Sequence, residues 1–415
     1  MLEEFQARLG VFLDNAKRRG LGRVVTIRLL ETGIAFLLWI SLLPFTVLLH
    51  LFGYRRLTVI TSRIGHLSAE IDCFLKAQAL GELPNRKWFV LAPPDRVANN
   101  HLLSYWQARL LVVSSPAACL LLGAMSRWLL MRYDVSHYVL RLNASQDIYR
   151  LNALWAGRPP QLKLNKSDVD WSEQALRHLG IPSGAWFVCV HVREAGFSPT
   201  DESAHAHRNG DSRAILLAVA EIVRRGGWCV RMGDPSMSPL SNIPGLIDYA
   251  HHRMRSPRLD VILCAKARVF LGNSSGLALV STVFGVPCVL VNMIPMSALS
   301  PLVSDISIPK MLWQDRESRM LGIDEILQSP IGDYRFAHLY RQAGITVVEN
   351  TREDILDVTV EMLDRLDGCH TESEEDRALQ NRFFSHLHVG HYSYGAKSRV
   401  GSAFLRKHQE LYSAH

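Results

Sequence analysis

The chain has 415 residues, of which 48% are hydrophobic and 20% charged, so it is long enough for two globular domains with separate cores. Its net charge of +7 does not indicate a nucleic-acid partner, because Lys and Arg are scattered and no nucleic-acid-binding motif accompanies them. We expect this charge to serve a membrane surface and anionic substrates. None of the seven cysteines has CxxC spacing, and four lie in apolar segments, which predicts free thiols in a reducing cytoplasm: Cys189, Cys229, Cys264 and Cys288.

The first long apolar segment covers residues 34–53, has no formal charge and is long enough to cross a bilayer. Basic residues flank it on both sides, so the positive-inside rule sets no orientation, and it lacks a signal-peptide cleavage pattern. Pro44 predicts a helix that breaks and returns, or one that lies along the membrane surface. Residues 1–56 are thus predicted to form a monotopic, peripheral or single-span anchor on the cytoplasmic face of the inner membrane. A buried core helix is the alternative.

Residues 57–160 are predicted to form a first Rossmann-like domain. Its elements are a strand at 57–61, a turn at 63–66, a helix at 67–80 and a strand at 88–92. The apolar stretch at 110–131 is interrupted by Pro116, Gly123 and Arg127, and we interpret it as core helices of this domain.

Residues 161–368 are predicted to form a second Rossmann-like domain, because helices and strands alternate there with short connections. The predicted strands are 186–191, 228–232, 268–271 and 288–291, and the predicted helices include 211–225, 259–267 and one opened by Thr351 with Asp354 in a capping box. The stretch 292–309 is predicted to be a loop over the cleft, and residues 369–415 a polar extension with a terminal helix at 398–412. The fold class is therefore α/β, with two doubly wound domains behind an apolar helical segment.

Polar residues follow the ends of the first two predicted strands of this second domain, where ligands bind in open α/β sheets. These residues are His191, Arg193, Glu194, Gly233 and Asp234. Arg193 offers a planar fork of donors that suits a pyrophosphate, and His191 offers a further donor or a proton shuttle. The alternative is that Arg193 pairs with a carboxylate, such as Glu202 or Asp234.

The third strand leads into small polar residues at the start of a helix: Asn273, Ser274, Ser275 and Gly276. Such residues leave backbone N–H groups free for an anion, which predicts a bound phosphate. The alternative is that Asn273 and Ser274 only cap the helix. Polar groups at the other strand ends favour phosphate, and we expect these four residues to contact the ligand rather than to transfer protons.

Metal motifs are weak in this sequence. Asp168-Val169-Asp170 is the only DxD match and lies in a predicted linker, and the C-terminal histidines are too loosely spaced for a zinc site: His370, His386, His388 and His391. We therefore predict no metal ion and no cofactor.

Several motifs occur in the same order in a known family: HVREAGF, HRNGD, GGWCVRMGDPSMSPL and DVILCAKARVFLGNSSGLALVSTVFGVPCVL. On these motifs the chain resembles a bacterial family of inferred glycosyltransferases with a GT-B-like fold, from about residue 63 to about residue 408. The triplet His191-Val192-Arg193 is also similar to the HxR motif of the fucosyltransferase superfamily. There the arginine binds the donor pyrophosphate, a role that the resemblance assigns to Arg193. The common fucosyltransferase form adds a second arginine and an acidic residue, whereas Glu194 and Ala195 follow here, which argues against GDP-fucose.

The resemblance and the strand ends together imply a set of site residues. Those expected to contact the donor are His191, Arg208, Asn209, Arg231, Gly233, Asp234, Asn273, Ser274, Ser275 and Gly276. Loops of the first domain form the acceptor side in such enzymes, so the general base is expected there, at His66 or at the weaker candidates Glu70 and Asp72. His66 could instead cap its helix, and the two acids could be solvated. The expected catalytic residues are His66, Arg193 and Glu194.

We therefore expect a hexosyl- or fucosyltransferase-like enzyme that moves a sugar from a nucleotide-diphosphate sugar without a metal ion. Its expected acceptor is a lipid-linked or cell-surface polysaccharide, and its other partners are the donor and the membrane surface. The enzymatic alternative is a nucleotide-sugar 2-epimerase, whose fold uses a similar Asn-Ser-Ser-Gly turn. The non-catalytic alternative is a membrane-bound sugar-nucleotide-binding scaffold in a polysaccharide assembly complex.

Overall fold

The computed structural model describes residues 21–126, 132–134, 142–196, 199–240 and 242–412. In its first half the elements are α1 (Leu21–Leu51), β1 (Tyr54–Thr58), α2 (Ile64–Ala79), β2 (Lys87–Leu91), α3 (Asn100–Gln107), β3 (Leu111–Val113), α4 (Pro116–Met125), β4 (Arg132–Asp134), α5 (Leu142–Trp155), α6 (Lys166–His178), β5 (Phe187–His191), α7 (Pro199–His205) and α8 (Leu216–Arg224). In its second half they are β6 (Trp228–Arg231), β7 (Leu246–Ile247), α9 (Pro257–Lys266), β8 (Val269–Gly272), α10 (Gly276–Val283), β9 (Cys288–Met293), β10 (Ile306–Pro309), β11 (Met311–Gln314), β12 (Arg319–Met320), α11 (Ile323–Leu327), α12 (Ala337–Gln342), β13 (Ile345–Val348), α13 (Arg352–Leu366), α14 (Glu374–Ser385), β14 (Arg399–Val400) and α15 (Ser402–Lys407).

The described residues fall into two compact units. The smaller unit takes its described residues from 21–58, 85–96 and 109–134, and the larger unit takes the rest, including α2, α3 and α5. These units do not follow the predicted limits at residues 57, 160 and 368, which stay a prediction. The α/β class with parallel sheets is confirmed.

The smaller unit contains a four-stranded parallel sheet in the order β3-β2-β1-β4. The strand predicted at 57–61 lies three residues earlier, because Arg55 and Arg56 belong to it and hide its pattern. Their guanidinium groups bind polar atoms of this unit: Arg55 donates to the carbonyl of His50 at 3.0 Å and Arg56 to the hydroxyl of Ser126 at 3.1 Å.

Helix α1 runs without interruption through Pro44, so the predicted break is wrong. Proline lacks the N–H for one hydrogen bond of the helix, but the 31-residue helix continues on both sides of it. Most apolar side chains of residues 32–51 are exposed, so the buried-core alternative is wrong as well. The part of the chain that the structure describes has one helix long and apolar enough to cross a membrane, and its location in a cell stays a prediction.

The stretch predicted as core helices at 110–131 is also different in the structure. Its described residues form β3 and then α4, whose Leu120 and Leu121 are 78% and 50% exposed. Apolar composition does not show which neighbours a helix has, and α4 packs against α1 and β2 while these two leucines stay exposed. The core-helix prediction is therefore wrong for α4.

The larger unit is built on a seven-stranded parallel sheet in the order β14-β10-β9-β8-β5-β6-β7. The four strands predicted between 186 and 291 correspond to β5, β6, β8 and β9. Helices α8 and α13 share a core with Val188 and Val190, whereas α9 and α10 pack together on the opposite face. The doubly wound arrangement predicted for this sheet is confirmed.

Two other predictions for this unit need correction. The stretch 292–309 is not wholly a loop, because its last four residues form β10, which is buried between β9 and β14. The helix predicted at 398–412 is divided into β14, α15 and a short turn of 3-10 helix at Gln409–Leu411. An antiparallel sheet of order β12-β11-β13 follows β10 and was not predicted. The capping box of Thr351 and Asp354 at the start of α13 is confirmed, as are the four buried free cysteines.

Candidate functional site

The order of the strands places a crevice between β5 and β8. The chain passes from β5 outward to β6 and β7, then crosses back to β8 on the other side of β5. At such a switch point the loops after the two strands diverge, and ligands of α/β proteins bind in the opening between them. We call this place the switch-point crevice; Val192 and Arg193 follow β5, and Asn273 and Ser274 follow β8.

Asn273 connects the loops around the switch-point crevice. Its side-chain oxygen accepts a hydrogen bond from the N–H of Arg193 at 2.9 Å, and its side-chain nitrogen donates to the carbonyl of Arg208 at 3.0 Å. Its own N–H donates to the carbonyl of His191 at 3.2 Å. Because these bonds use both ends of a buried amide, Asn273 sets the shape of the crevice.

Arg208 spans the crevice to the turn before α10. One of its terminal nitrogens donates to the carbonyl of Ser274 at 2.7 Å and to its hydroxyl at 3.1 Å. Ser275 is the residue that caps α10, accepting from the N–H of Ala278 at 3.5 Å. Helix capping, the alternative reading of this segment, is thus made by Ser275, and Ser274 instead holds Arg208.

Arg193 lies in the loop after β5, and its side-chain contacts with the described residues are long. Its guanidinium donates to the carbonyl of His205 at 3.3 Å and lies 4.0 Å from Glu202. Glu202 makes a shorter contact of 2.5 Å with the side chain of Asn209. In the part of the chain that the structure describes, the alternative pairing of Arg193 with a carboxylate is therefore loose, which leaves N–H donors for other partners.

Lys310 is a charged residue of this region that the sequence interpretation missed. It follows β10 directly, is 3% exposed, and donates to the carbonyl of Asn209 at 2.6 Å. Burial lowers its pKa, and Glu349 opposes this shift from 3.8 Å. Lys310 therefore places a positive charge beneath the loop of Arg208 and Asn209. The strand-end rule would have found it if β10 had been predicted.

The end of β6 is held by an internal ion network. Arg231 is 1% exposed and donates to Glu194 at 2.7 Å and to Asp248 at 3.1 Å, so two carboxylates balance its charge. Burial of Glu194 opposes its ionisation, but hydrogen bonds from Ser238 and the charge of Arg231 lower its pKa below the ordinary value. Both residues connect strand ends, and their predicted roles in transfer stay untested.

The remaining strand-end residues form local contacts. His191 donates from Nδ1 to the carbonyl of Met232 at 3.0 Å, and burial lowers its pKa, so its Nε2 presents a lone pair. Gly233 has a φ of +146°, and a Cβ there would overlap the sulfur of Met237. Asp234 accepts from the N–H of Ser236 at 2.9 Å, which closes the turn after β6.

In the structure His66 is hydrogen-bonded to Glu70, one of the two acids that are weaker candidates for the general base. Nδ1 of His66 donates to Glu70 at 2.7 Å, and the other oxygen of Glu70 accepts from the N–H of Ile60 at 3.0 Å. Glu70 is fully buried, so the solvated alternative is wrong for it, and the residue at the cap position of α2 is Arg63 rather than His66. Asp72 is buried in an ion pair with Lys76 at 2.7 Å. Of the three base candidates, His66 is the one with an orienting carboxylate.

Two glycines bring His66 to the phosphate-type turn. A Cβ built on Gly65 would lie 2.9 Å from the Cα of Gly276, and one built on Gly276 would lie 2.7 Å from a methyl of Ile64. The N-terminal ends of α2 and α10, both in the larger unit, therefore meet backbone to backbone. Since both helix N-termini carry partial positive charge, their junction favours an anion.

An aromatic group borders Arg193. The rings of His205 and Phe336 stack with centroids 5.5 Å apart, and His207 lies 5.4 Å from the ring of Tyr340. Among the described residues, neither ring nitrogen of His207 has a hydrogen-bond partner. Burial, followed by the nearby charge of Arg208, lowers the pKa of His207 to about 3, so this ring is neutral at pH 7.

Asp168 of the DxD match lies on α6 and has no room for a metal. Its carboxylate accepts hydrogen bonds from Tyr105, from His101 at 2.8 Å and from Arg258 at 2.8 Å. The ring centroids of His388 and His391 lie 3.7 Å apart, with the rings tilted by 30°. Within the described ranges, no group of three His, Cys, Asp or Glu side chains is arranged to hold a metal ion.

No protein-family model and no curated protein match this sequence. Solved structures similar to it include E. coli ADP-heptose lps heptosyltransferase II, at 15% identity over 57% of this chain and 84% of that chain, with a TM-score of 0.35. The glycosyl transferase family 9 structure from Veillonella parvula has 10% identity over 58% of this chain and 80% of that chain, with a TM-score of 0.37. E. coli heptosyltransferase WaaC with ADP has 10% identity over 62% of this chain and 91% of that chain, with a TM-score of 0.35. These scores are too low for the likeness to assign a function to this chain.

Proposed function

We propose that this chain is a glycosyltransferase with a GT-B-like fold that binds the diphosphate of a nucleotide sugar in the switch-point crevice. One observation carries the proposal: Arg193, in the loop after β5, and Arg208, which reaches the turn after β8, both lie at the switch-point crevice beside the N-terminal turn of α10. Arginine binds phosphate oxygens bidentately, and a helix N-terminus adds N–H donors and positive potential. This set of groups matches two linked phosphates.

The same groups would stabilise the leaving nucleotide diphosphate as its bond to the sugar breaks, because negative charge accumulates on the phosphate oxygen. Lys310 adds positive potential from below the loop of Asn209. Arg231 is left out of this set, since Glu194 and Asp248 already balance its charge. We propose that transfer needs no metal ion. Loss of transfer with EDTA and its recovery with Mg²⁺ would contradict this.

His66 is the proposed general base. The acceptor hydroxyl would give its proton to Nε2 of His66 while its oxygen bonds to the anomeric carbon of the sugar. The bond from that carbon to the donor phosphate oxygen breaks, and the nucleotide diphosphate leaves with the electron pair. Glu70 holds Nδ1 in its protonated form and stabilises the imidazolium that forms.

A membrane-bound acceptor is proposed from α1. The helix is apolar, its described side chains from 32 to 51 are mostly exposed, and it is long enough to enter a bilayer, which favours an acceptor that is itself lipid-linked or part of the cell surface. We propose that the chain works at the cytoplasmic face of the membrane, where nucleotide sugars are made.

The test is a thermal-shift screen of nucleotide diphosphates and nucleotide-diphosphate sugars, with Arg193→Ala beside the unchanged chain. A hit that depends on Arg193 is then assayed for donor hydrolysis and for transfer to lipid extracts. We expect binding, followed by release of the nucleotide diphosphate with acceptor. Binding with interconversion of the sugar at C2 would indicate an epimerase, and binding without turnover a scaffold. Absence of nucleotide binding would sink the proposal.

A further inference from the structure

The smaller unit exposes a second apolar helix beside α1. From Leu110 to Ser126 the sequence has no charged residue, and on α4 Leu120 and Leu121 project into solvent at 78% and 50% exposure. Helix α4 packs against α1, and the buried Thr46 donates to the carbonyl of Met125 at 3.5 Å. The two helices therefore present one continuous apolar surface.

The width of that surface indicates what covers it. Exposed apolar residues of α1 occur at Ile34, Phe36, Leu37, Leu38, Ile40, Phe45, Val47, Leu48 and Leu51. At 3.6 residues per turn these positions cover an arc of roughly 200°. A helix docked in a protein groove needs an apolar stripe of about 100°, whereas a helix in lipid is apolar over a far wider arc. Lipid chains are therefore the better match.

Basic residues lie where this surface ends. The described ranges 21–58, 85–96, 109–126 and 132–134 hold nine Lys or Arg against three Asp or Glu. Arg86 and Lys87 line a cavity of about 350 Å³ together with Leu51 and Phe52, so cationic and apolar groups share one opening. Burial, and then repulsion from Arg86, lower the pKa of Arg55, which lies at the same end of α1. An anion placed there would relieve that repulsion.

We propose that α1 and α4 enter one lipid leaflet together, and that Arg55, Arg86 and Lys87 bind the phosphates of anionic lipid head groups at its surface. This extends the membrane location proposed for α1, and it names α4 and the basic cluster as parts of the same membrane-binding surface. The leucines would favour membrane binding because their side chains move from water into the acyl chains. The basic side chains would favour it because the anionic leaflet attracts them.

A depth measurement on the full chain tests the place of α4. Leu120→Cys, in a background with Cys119→Ser and Cys369→Ser, is labelled with an environment-sensitive dye; Val389→Cys in the same background, an exposed apolar position of the larger unit, is the matched control. In vesicles of phosphatidylcholine and phosphatidylglycerol, we expect a quencher on the acyl chains to dim the Leu120 probe by at least half and to leave the Val389 probe unchanged. A Leu120 probe that stays in water overturns the proposal. So does one that is already shielded without vesicles, since a second copy would then cover α4.

Vesicle flotation tests the basic cluster. For Arg86→Gln with Lys87→Gln we expect binding to phosphatidylglycerol-containing vesicles to fall roughly tenfold, and binding to pure phosphatidylcholine vesicles to stay the same. An equal loss on both vesicles, or no loss, would refute the head-group role. Nucleotide binding of the same variants, measured by thermal shift, should not change, which separates this proposal from the proposed function.

Discussion

Gly65 and Gly276 face each other where α2 meets α10, so closely that a Cβ on Gly65 would lie 2.9 Å from the Cα of Gly276. The residues are more than two hundred positions apart, yet together they bring His66 to the turn that follows β8. A base candidate and an anion-binding turn are thus neighbours because two small residues allow two helix ends to touch.

Gly276→Ala should separate these helix ends, because the new methyl would lie 2.7 Å from Ile64 and 2.9 Å from the backbone nitrogen of Gly65. We expect nucleotide affinity to fall about tenfold, with a loss of stability of about 1–3 kcal/mol, as overpacking usually costs. Isothermal titration and thermal unfolding measure both effects. Gly123→Ala, where the nearest atom is 3.7 Å away, is the matched control. Equal behaviour of the two variants would mean that the junction is not tight.

Arg193→Ala should weaken nucleotide-diphosphate binding, since a hydrogen bond to a charged group contributes about 1.5–3 kcal/mol and Arg193 has several donors to offer. We therefore expect a loss of roughly tenfold to a hundredfold, measured by titration with the nucleotide found in the screen. Arg213→Ala, an exposed position on the turn before α8, should bind as the unchanged chain does. Unaltered affinity for Arg193→Ala would remove this residue from the donor site.

Glu70→Gln should slow transfer through its effect on His66. The amide still contacts Nδ1 but cannot stabilise the imidazolium, so we expect kcat to fall about a hundredfold and the acid limb of the pH–rate profile to move. Donor affinity should be unchanged, because the hydrogen bonds described for His66 and Glu70 join them to each other and to Ile60 rather than to Arg193 or Arg208. His66→Gln should lower kcat at least as far. A loss of donor affinity in Glu70→Gln, with an unmoved pH profile, would assign Glu70 a purely structural role.

His207→Phe should alter how stability depends on pH. The ordinary pKa of 6.5 falls to about 3 in the folded chain, so between these values the unfolded chain binds a proton that the folded chain does not. The free energy of unfolding therefore decreases as pH falls below 6.5, and the contribution of His207 to this decrease is about 2 kcal/mol at pH 5. Phenylalanine does not titrate, so the free energy of unfolding of the variant should decrease less between pH 7.5 and pH 5 than that of the unchanged chain. Denaturant unfolding at the two pH values measures this difference. Parallel pH dependence of the two proteins would contradict a buried neutral His207.

Asp168→Asn should destabilise the larger unit. Four side-chain donors, on Tyr105, His101, Arg258 and Asn165, would lose a buried carboxylate, and breaking such a pair costs about 3 kcal/mol. Despite burial, these donors lower the pKa of Asp168, so the stabilisation is present above the ordinary carboxyl range and is lost as pH falls below it. Asp170→Asn, exposed two residues further on α6, is the control, and urea unfolding measures both. A small equal effect would leave Asp168 without a structural role.

The strands of the larger sheet could be read from the sequence where each carries an unbroken apolar run, as β5, β6, β8 and β9 do. The sequence does not predict strand β10, because this strand is short, contains proline, and lies in a stretch rich in Pro and Ser. Lys310 is not predicted for the same reason. Ligand-binding residues are sought at the carboxyl ends of predicted strands, and β10 is not among those strands. Helix α4 was misplaced because its composition fits a core and a membrane equally well.

For the site, the sequence alone determined which chemical groups end each strand: an arginine fork at Arg193, and small polar residues from Asn273 to Gly276. These follow from local patterns, in which an apolar run stops at a polar residue. Only the tertiary structure decided which groups remain available. In the folded chain Glu194 and Asp248 balance the charge of Arg231, and Glu70 accepts a hydrogen bond from His66. Helix α2 packs against α10. Those outcomes depend on contacts between distant segments, and a sequence does not display the order of its strands or the partners of its buried charges.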